Sequence, residues 1–112
     1  MKTAEENRML RIFISESDHL HGKELYEQIV FKARELDLAG ATVLRGIMGF
    51  GATSKMHSAK LLSLSEDLPV VVEIVDSQEN IDKLIPFLDE NIKQGIVTIE
   101  KIKVITYPRQ KP

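Results

Sequence analysis

The sequence predicts an α+β domain of ferredoxin-like form, βαββαβ, with a four-stranded antiparallel sheet carrying two helices on one face. Three observations carry this expectation. Two apolar runs with strand character, around residues 9–14 and 70–75, are each followed by a stretch whose apolar residues recur at helical spacing. Each helical stretch leads into a further β-rich segment. The 112 residues are the usual length of one domain, so a single core must serve the whole chain.

Leu10, Ile12 and Ile14 alternate with Met9, Arg11 and Phe13, which places apolar side chains on both faces of a central first strand. Residues 1–8 ahead of it are expected to stay flexible. Over residues 22–36, Leu25, Ile29, Ala33 and Leu36 form a helical stripe that Tyr26 and Val30 widen, and Gly40 is read as its stop. A second strand follows at residues 41–45. Residues 45–64 hold three glycines and no sustained period, so they are read as a long functional loop, with 59–64 able to extend a hairpin arm. Val70, Val71, Val72, Ile74 and Val75 make a third strand buried on both faces. Asp76 is read as the cap of a second helix, with Glu79 completing a capping box, and Ile81, Leu84, Ile85, Leu88 and Ile92 follow at helical offsets. Pro86 should kink or split that helix, Gly95 ends it, and residues 96–106 form the last strand.

Composition narrows the function classes. With no cysteine, disulfides, thiolate metal sites and cysteine nucleophiles are excluded. Net charge is −2, there is no Trp, and aromatics are 5% of the chain, which argues against a nucleic-acid surface. No segment approaches the ~18 apolar residues of a membrane span, and the opening MKTAEENRML has no signal-like apolar run, so a cytoplasmic protein is expected. Apolar residues on both faces of strands one and three would leave a patch in water, and self-association is the simplest remedy.

The segments ATVLRGIMGFG, SEDLPVVVEIVD and LRIFISESD, with GKELYEQIVFKARELDLAGATVLRGI, closely resemble a bacterial and archaeal family of PII-like proteins across nearly all of the chain after residue 8. The resemblance implies a PII-like homotrimer with ligand sites in clefts between subunits. It also implies a loop between strands two and three that responds to adenine nucleotide, ADP or ATP, and touches a membrane channel, a transporter or an enzyme. Gly49-Phe50-Gly51 matches the opening of that loop. Two features depart from PII signalling proteins: the loop has no match to the tyrosine modified in some of them, and residues 93–97 lack their glycine- and lysine-containing phosphate loop.

Gly46, Gly49 and Gly51, followed by Thr53, Ser54 and Lys55, could offer amides, hydroxyls and an ammonium to a phosphate, although glycines also simply permit turns. Arg45 and Phe50 flank them. His57 could bond a ligand or order the loop. Lys101, Lys103 and Arg109 could contact phosphate or solvate an edge. The expected nucleotide site therefore comprises Arg45, Gly46, Gly49, Phe50, Gly51, Thr53, Ser54, Lys55, His57, Lys101, Lys103 and Arg109, with the nucleotide a ligand and not a required cofactor. Glu16, Asp18, His19 and His21 could bind a divalent metal or simply belong to a solvated turn entering helix one. The resemblance leaves as the alternative function a divalent-metal-binding trimer, since a related ferredoxin-like trimer family is associated with metal tolerance. A Ser54/His57 hydrolytic pair lacks a rigid support, so no enzyme is expected. Glu73, inside an apolar run, needs a counter-ion, for which Arg11 and Arg45 qualify.

Overall fold

The computed structural model describes residues 3–51, 57–58 and 67–108. Strand β1 (Thr3–Ser15) leads into a small ladder of β2 (His19–Leu20) and β3 (Lys23–Glu24), then helix α1 (Leu25–Glu35). Strand β4 (Thr42–Arg45), the short pair β5 (Met48–Gly49) and β6 (His57–Ser58), strand β7 (Pro69–Asp76), helix α2 (Gln78–Asn91) and strand β8 (Ile96–Thr106) complete the order. The main sheet runs β4-β7-β1-β8 and is antiparallel throughout, so β1 and β7 are central as the alternation predicts.

Both helices lie on one face of this sheet. Leu10, Ile12 and Ile14 of β1 and Val70, Val72 and Ile74 of β7 are buried against Leu25, Ile29 and Ala33 of α1 and Ile81, Leu84 and Leu88 of α2. Each such side chain contributes about 1.5–3 kcal/mol by leaving water, so this layer sets the register of the whole sheet. Across β7, burial alternates. Val71, Glu73 and Val75 are only half-buried, because within one chain no layer covers their face, and the expectation of a strand buried on both faces is corrected accordingly.

Other boundaries differ from the sequence reading for local reasons. Residues 3–8, expected to be flexible, belong to β1 because β8 pairs with them from Thr3↔Thr106 to Arg8↔Lys101. Helix α1 does not stop at Gly40. Asp37 takes the left-handed conformation (φ 62°), its N–H donates to the carbonyl of Arg34 and that of Leu38 to Ala33, a Schellman closure with Leu38 tucked into the core. Asp tolerates this backbone through its short polar side chain. The cap of α2 is Ser77, whose hydroxyl accepts from the N–H of Asn80, and not Asp76. Helix α2 is not split at Pro86; both Pro86 and Asp82 are exposed, so water can reach the carbonyl that loses its donor. The predicted hairpin arm at 59–64 lies outside the described residues.

Asp76 has a larger task than capping. Its buried carboxylate accepts from the N–H of Ala39 (2.8 Å), the N–H of Ser77 (2.7 Å) and Nδ2 of Asn80 (2.9 Å), tying the end of β7 to the α1–β4 connection. Burial pushes this carboxyl up, but the three donors together with the charge of Lys83 outweigh it and hold the group below the ordinary aspartate value. A depressed carboxyl stabilises the fold above its unfolded pKa, and that contribution is lost as pH falls below about 4. Asp76→Asn should therefore lower stability by about 1–3 kcal/mol at neutral pH. In urea unfolding between pH 7 and pH 3, the difference from the wild type should shrink toward the acid end.

Candidate functional site

The loop half of the expected site grows from the end of β4. Gly46 donates its N–H to the carbonyl of Pro69 (2.7 Å), and a Cβ at Gly46 would lie 2.8 Å from Cγ of Pro69. A Cβ at Gly49 would lie 3.2 Å from the same atom. Two of the three glycines thus have a packing reason, the approach of the loop base to the Pro69 ring, and the Gly46 amide is already engaged. Gly49 then pairs with His57, and Met48 with Ser58. Gly51 has open space around it. Ile47, Met48 and Phe50 are 80%, 57% and 66% exposed, an apolar cluster turned to solvent. Thr53, Ser54, Lys55 and Arg109 lie outside the described residues, and for His57 only the backbone pairing is described.

Arg45 pairs with the sheltered carboxylate of Glu16, whose own N–H donates to the carbonyl of Leu68 (2.8 Å). The guanidinium has five N–H donors and its side chain is well exposed, so donors remain for a ligand. Nearby, Asp67 accepts from the hydroxyls of Ser15 and Ser17, and the Asp18 carboxylate accepts from the N–H of Ser15. The His19 ring bonds the carbonyl of Ser17, while His21 (φ 54°) and Gly22 (φ 78°) make the two-residue turn of the β2–β3 hairpin. Among the described residues no group of three or more His, Asp or Glu side chains could hold a metal ion. Glu16, Asp18, His19 and His21, grouped in sequence, have separate local tasks.

The strand half lies elsewhere. Lys101 and Lys103 stand opposite Arg8 and Glu6 on the side of β8 that faces the helices. Register shows how far apart the halves are. Arg45 pairs with Val70, and Val70 with Ile14, whereas Lys101 pairs with Arg8. Six residues of β1 separate these rows, about 20 Å at 3.3 Å per residue. Within one chain, Arg45 at the loop base and Lys101 with Lys103 on β8 therefore do not meet. Residue type alone could not reveal this, but the antiparallel strand order, once assigned, implies it.

The open sheet face is the third feature. Arg11 donates through Nε to Glu73 at 2.9 Å and pairs with Glu100, which settles the counter-ion of Glu73 as Arg11 and not Arg45. The bond to Glu73 raises the guanidinium above its ordinary pKa despite partial desolvation, with Glu100 adding to it. Next to this charged row Phe13, Leu44 and Ile96 remain 39%, 48% and 64% exposed. Register places them side by side with Val71, an apolar strip without a cover in the single chain.

Comparison with known proteins gives this geometry a family. Residues 7–104 match the DUF190 family, described as "Uncharacterized ACR". A UPF0166 protein of Aquifex aeolicus (strain VF5) is 43% identical over 103 residues, 89% of this chain and 94% of that protein. The chain belongs to this family. Among solved structures it resembles CPII, a nitrogen regulatory PII-like protein of Thiomonas intermedia K12 bound to ADP, AMP and bicarbonate. The TM-score is 0.63 at 19% identity, over 91% of each chain. It also resembles the GlnK–ATP complex of B. subtilis, with a TM-score of 0.56 at 12% identity, over 87% of this chain and 82% of that one. These likenesses show a PII-like, ferredoxin-like fold.

The loop base is directly testable through the Gly46–Pro69 contact. Gly46→Ala places a methyl group against a rigid ring and should destabilise the chain by about 1–3 kcal/mol. In a Pro69→Ala background the penalty should shrink by more than half. Equal penalties in the two backgrounds, measured by thermal unfolding, would show that the ring is not what excludes the side chain.

Proposed function

We propose that this member of the DUF190 family is a PII-like regulatory protein, not an enzyme. It binds a small anionic ligand, an adenine nucleotide such as ADP or ATP, in the clefts between subunits of a homotrimer. The observation that carries the reading is the separation of the two half-sites within one chain. Arg45 and residues 46–51 sit at one end of the sheet, and Lys101 and Lys103 about 20 Å away, which supports a ligand that meets both where two subunits join. Support for the ligand class comes from the fold shared with CPII bound to ADP and AMP and with GlnK bound to ATP.

In this reading Lys101, Lys103 and Arg109 of one subunit hold phosphate, and the loop half of its neighbour supplies Arg45, the open amide of Gly51, Thr53, Ser54, Lys55 and His57, with Phe50 against the base. Gly46 and Gly49 shape the loop base. A chain of net charge −2 repels polyphosphate at long range, so affinity must come from these local donors. The uncovered strip of Phe13, Leu44, Val71 and Ile96 supplies the surface for trimer formation. The exposed Ile47, Met48 and Phe50 suit a protein partner, a membrane channel, a transporter or an enzyme, that reads the ligand state through residues 45–64. Among the described residues no helix is long and apolar enough to cross a membrane.

Light scattering should give a trimer, and calorimetry should show ADP or ATP binding well below millimolar. Arg45→Ala and Lys101→Ala should each weaken binding about ten- to a hundredfold while the trimer persists. Co-assembling the two variants separates the alternatives. If each cleft draws one half from each subunit, about a quarter of the clefts in random mixed trimers regain both halves and bind at wild-type strength. Sites contained within one subunit would gain nothing from mixing.

A further inference from the structure

We infer that Arg8 is a further cation of the strand half-site and contacts the ligand's phosphates together with Lys101; the inference rests on the nucleotide reading above. Arg8 and Lys101 are Cα partners in the β1–β8 ladder, so their side chains leave the same face side by side. Like charges directly opposite one another destabilise a sheet. Little in the chain relieves them. Asp76, the partner of Arg8 on the other side, keeps its negative charge, but its oxygens already accept from Ala39, Ser77 and Asn80, and among the described residues it makes no ion pair with Arg8. The ion pair of Arg8 is with Glu6, at 3.9 Å and 68% exposed, a geometry worth little in water. Among the described residues neither Lys101 nor Lys103 has an ion pair.

Arg8, Lys101 and Lys103 therefore stand against two carboxylates on the same face, Glu6 opposite Lys103 and Asp76 opposite Arg8, and one positive charge is left in excess. Unlike a solvated surface arginine, Arg8 is largely sheltered, with 23% of its side chain exposed, and its Nη1 donates to the carbonyl of Asn7 (3.2 Å). A held guanidinium beside an ammonium is a ready receptor for an anion carrying more than one charge, since its planar fork bonds two phosphate oxygens at once. The register that forces Arg8 beside Lys101 is imposed by the burial of Leu10, Ile12 and Ile14. The charge conflict thus persists in the free protein and is relieved by ligand, a local inconsistency of the kind functional sites retain.

The test uses full-length wild type, Arg8→Gln, Arg8→Lys and the control Lys23→Gln, which lies in the distant β2–β3 hairpin. Each is titrated with ATP, AMP and adenosine, and its ligand-free Tm is measured. The inference expects Arg8→Gln to keep or raise the ligand-free Tm and to weaken ATP about tenfold, AMP less and adenosine not at all. Arg8→Lys should recover part of the ATP affinity, and Lys23→Gln should match the wild type. If Arg8→Gln binds ATP like the wild type, or loses ATP and adenosine equally with a lowered Tm, Arg8 is structural and the inference fails while the nucleotide reading stands. A wild type that binds none of the three ligands removes that reading and the inference with it.

Discussion

Every feature of functional interest hangs on the register of β1 between β7 and β8. Leu10, Ile12 and Ile14 can bury against the helices only if Ile12 stands opposite Val72 and Val97. A slip of one residue would turn Arg11 and Phe13 into the core and expose all three. The same alignment brings Arg11 beside Glu73 and Glu100 on the open face. It also sets Gly95 under the carbonyl of Phe13, where a Cβ would come within 2.6 Å, so the turn into β8 closes only with glycine. Core, ion pairs and chain reversal therefore follow from one alignment.

That alignment also dictates the division of the binding residues. In an antiparallel sheet the loop after β4 leaves at the end where β1 finishes, whereas the second half of β8 runs beside the beginning of β1. Arg45 at the loop base and Lys101 with Lys103 consequently lie at opposite ends of the sheet. Assembly and ligand binding then become a single structural problem. In the proposed reading the uncovered strip beside Arg11 is the surface that brings subunits together, and that contact would let one subunit's loop meet another's basic strand. Under the same proposal, ligand at such a cleft would stabilise the assembly it bridges, which suits a regulatory role.

The architecture was legible in the sequence because periodicity reports burial. The alternation of residues 9–14, the valine run of 70–75 and both helical stripes reflect the two layers of the core, and residues 96–106 were bounded as observed. What escaped was local or relational. Asp37 took the role assigned to Gly40, because a Schellman closure needs a left-handed residue two places beyond the last helical one and not the next available glycine. Ser77 displaced Asp76 as cap because Asp76 points inward to three donors. Of the expected site residues, Gly46 and Gly49 have as their closest constraint the ring of Pro69, a residue twenty or more positions away.

The remaining gap concerns charge. Counting side chains gives a mildly acidic protein, and from the count alone a polyanion has no reason to bind. Pairing changes the account. Glu73 and Glu100 are held by Arg11, Glu16 by Arg45, and Asp76 by backbone and amide donors, so much of the negative charge near the sheet is already engaged. Among the described residues Lys101 and Lys103 make no ion pair, and strand pairing sets Lys101 beside Arg8 and Lys103 beside Glu6. At that end of the sheet three cations, Arg8, Lys101 and Lys103, share one face with two carboxylates, Glu6 and Asp76, so an approaching anion meets a local excess of positive charge whatever the sign of the net charge.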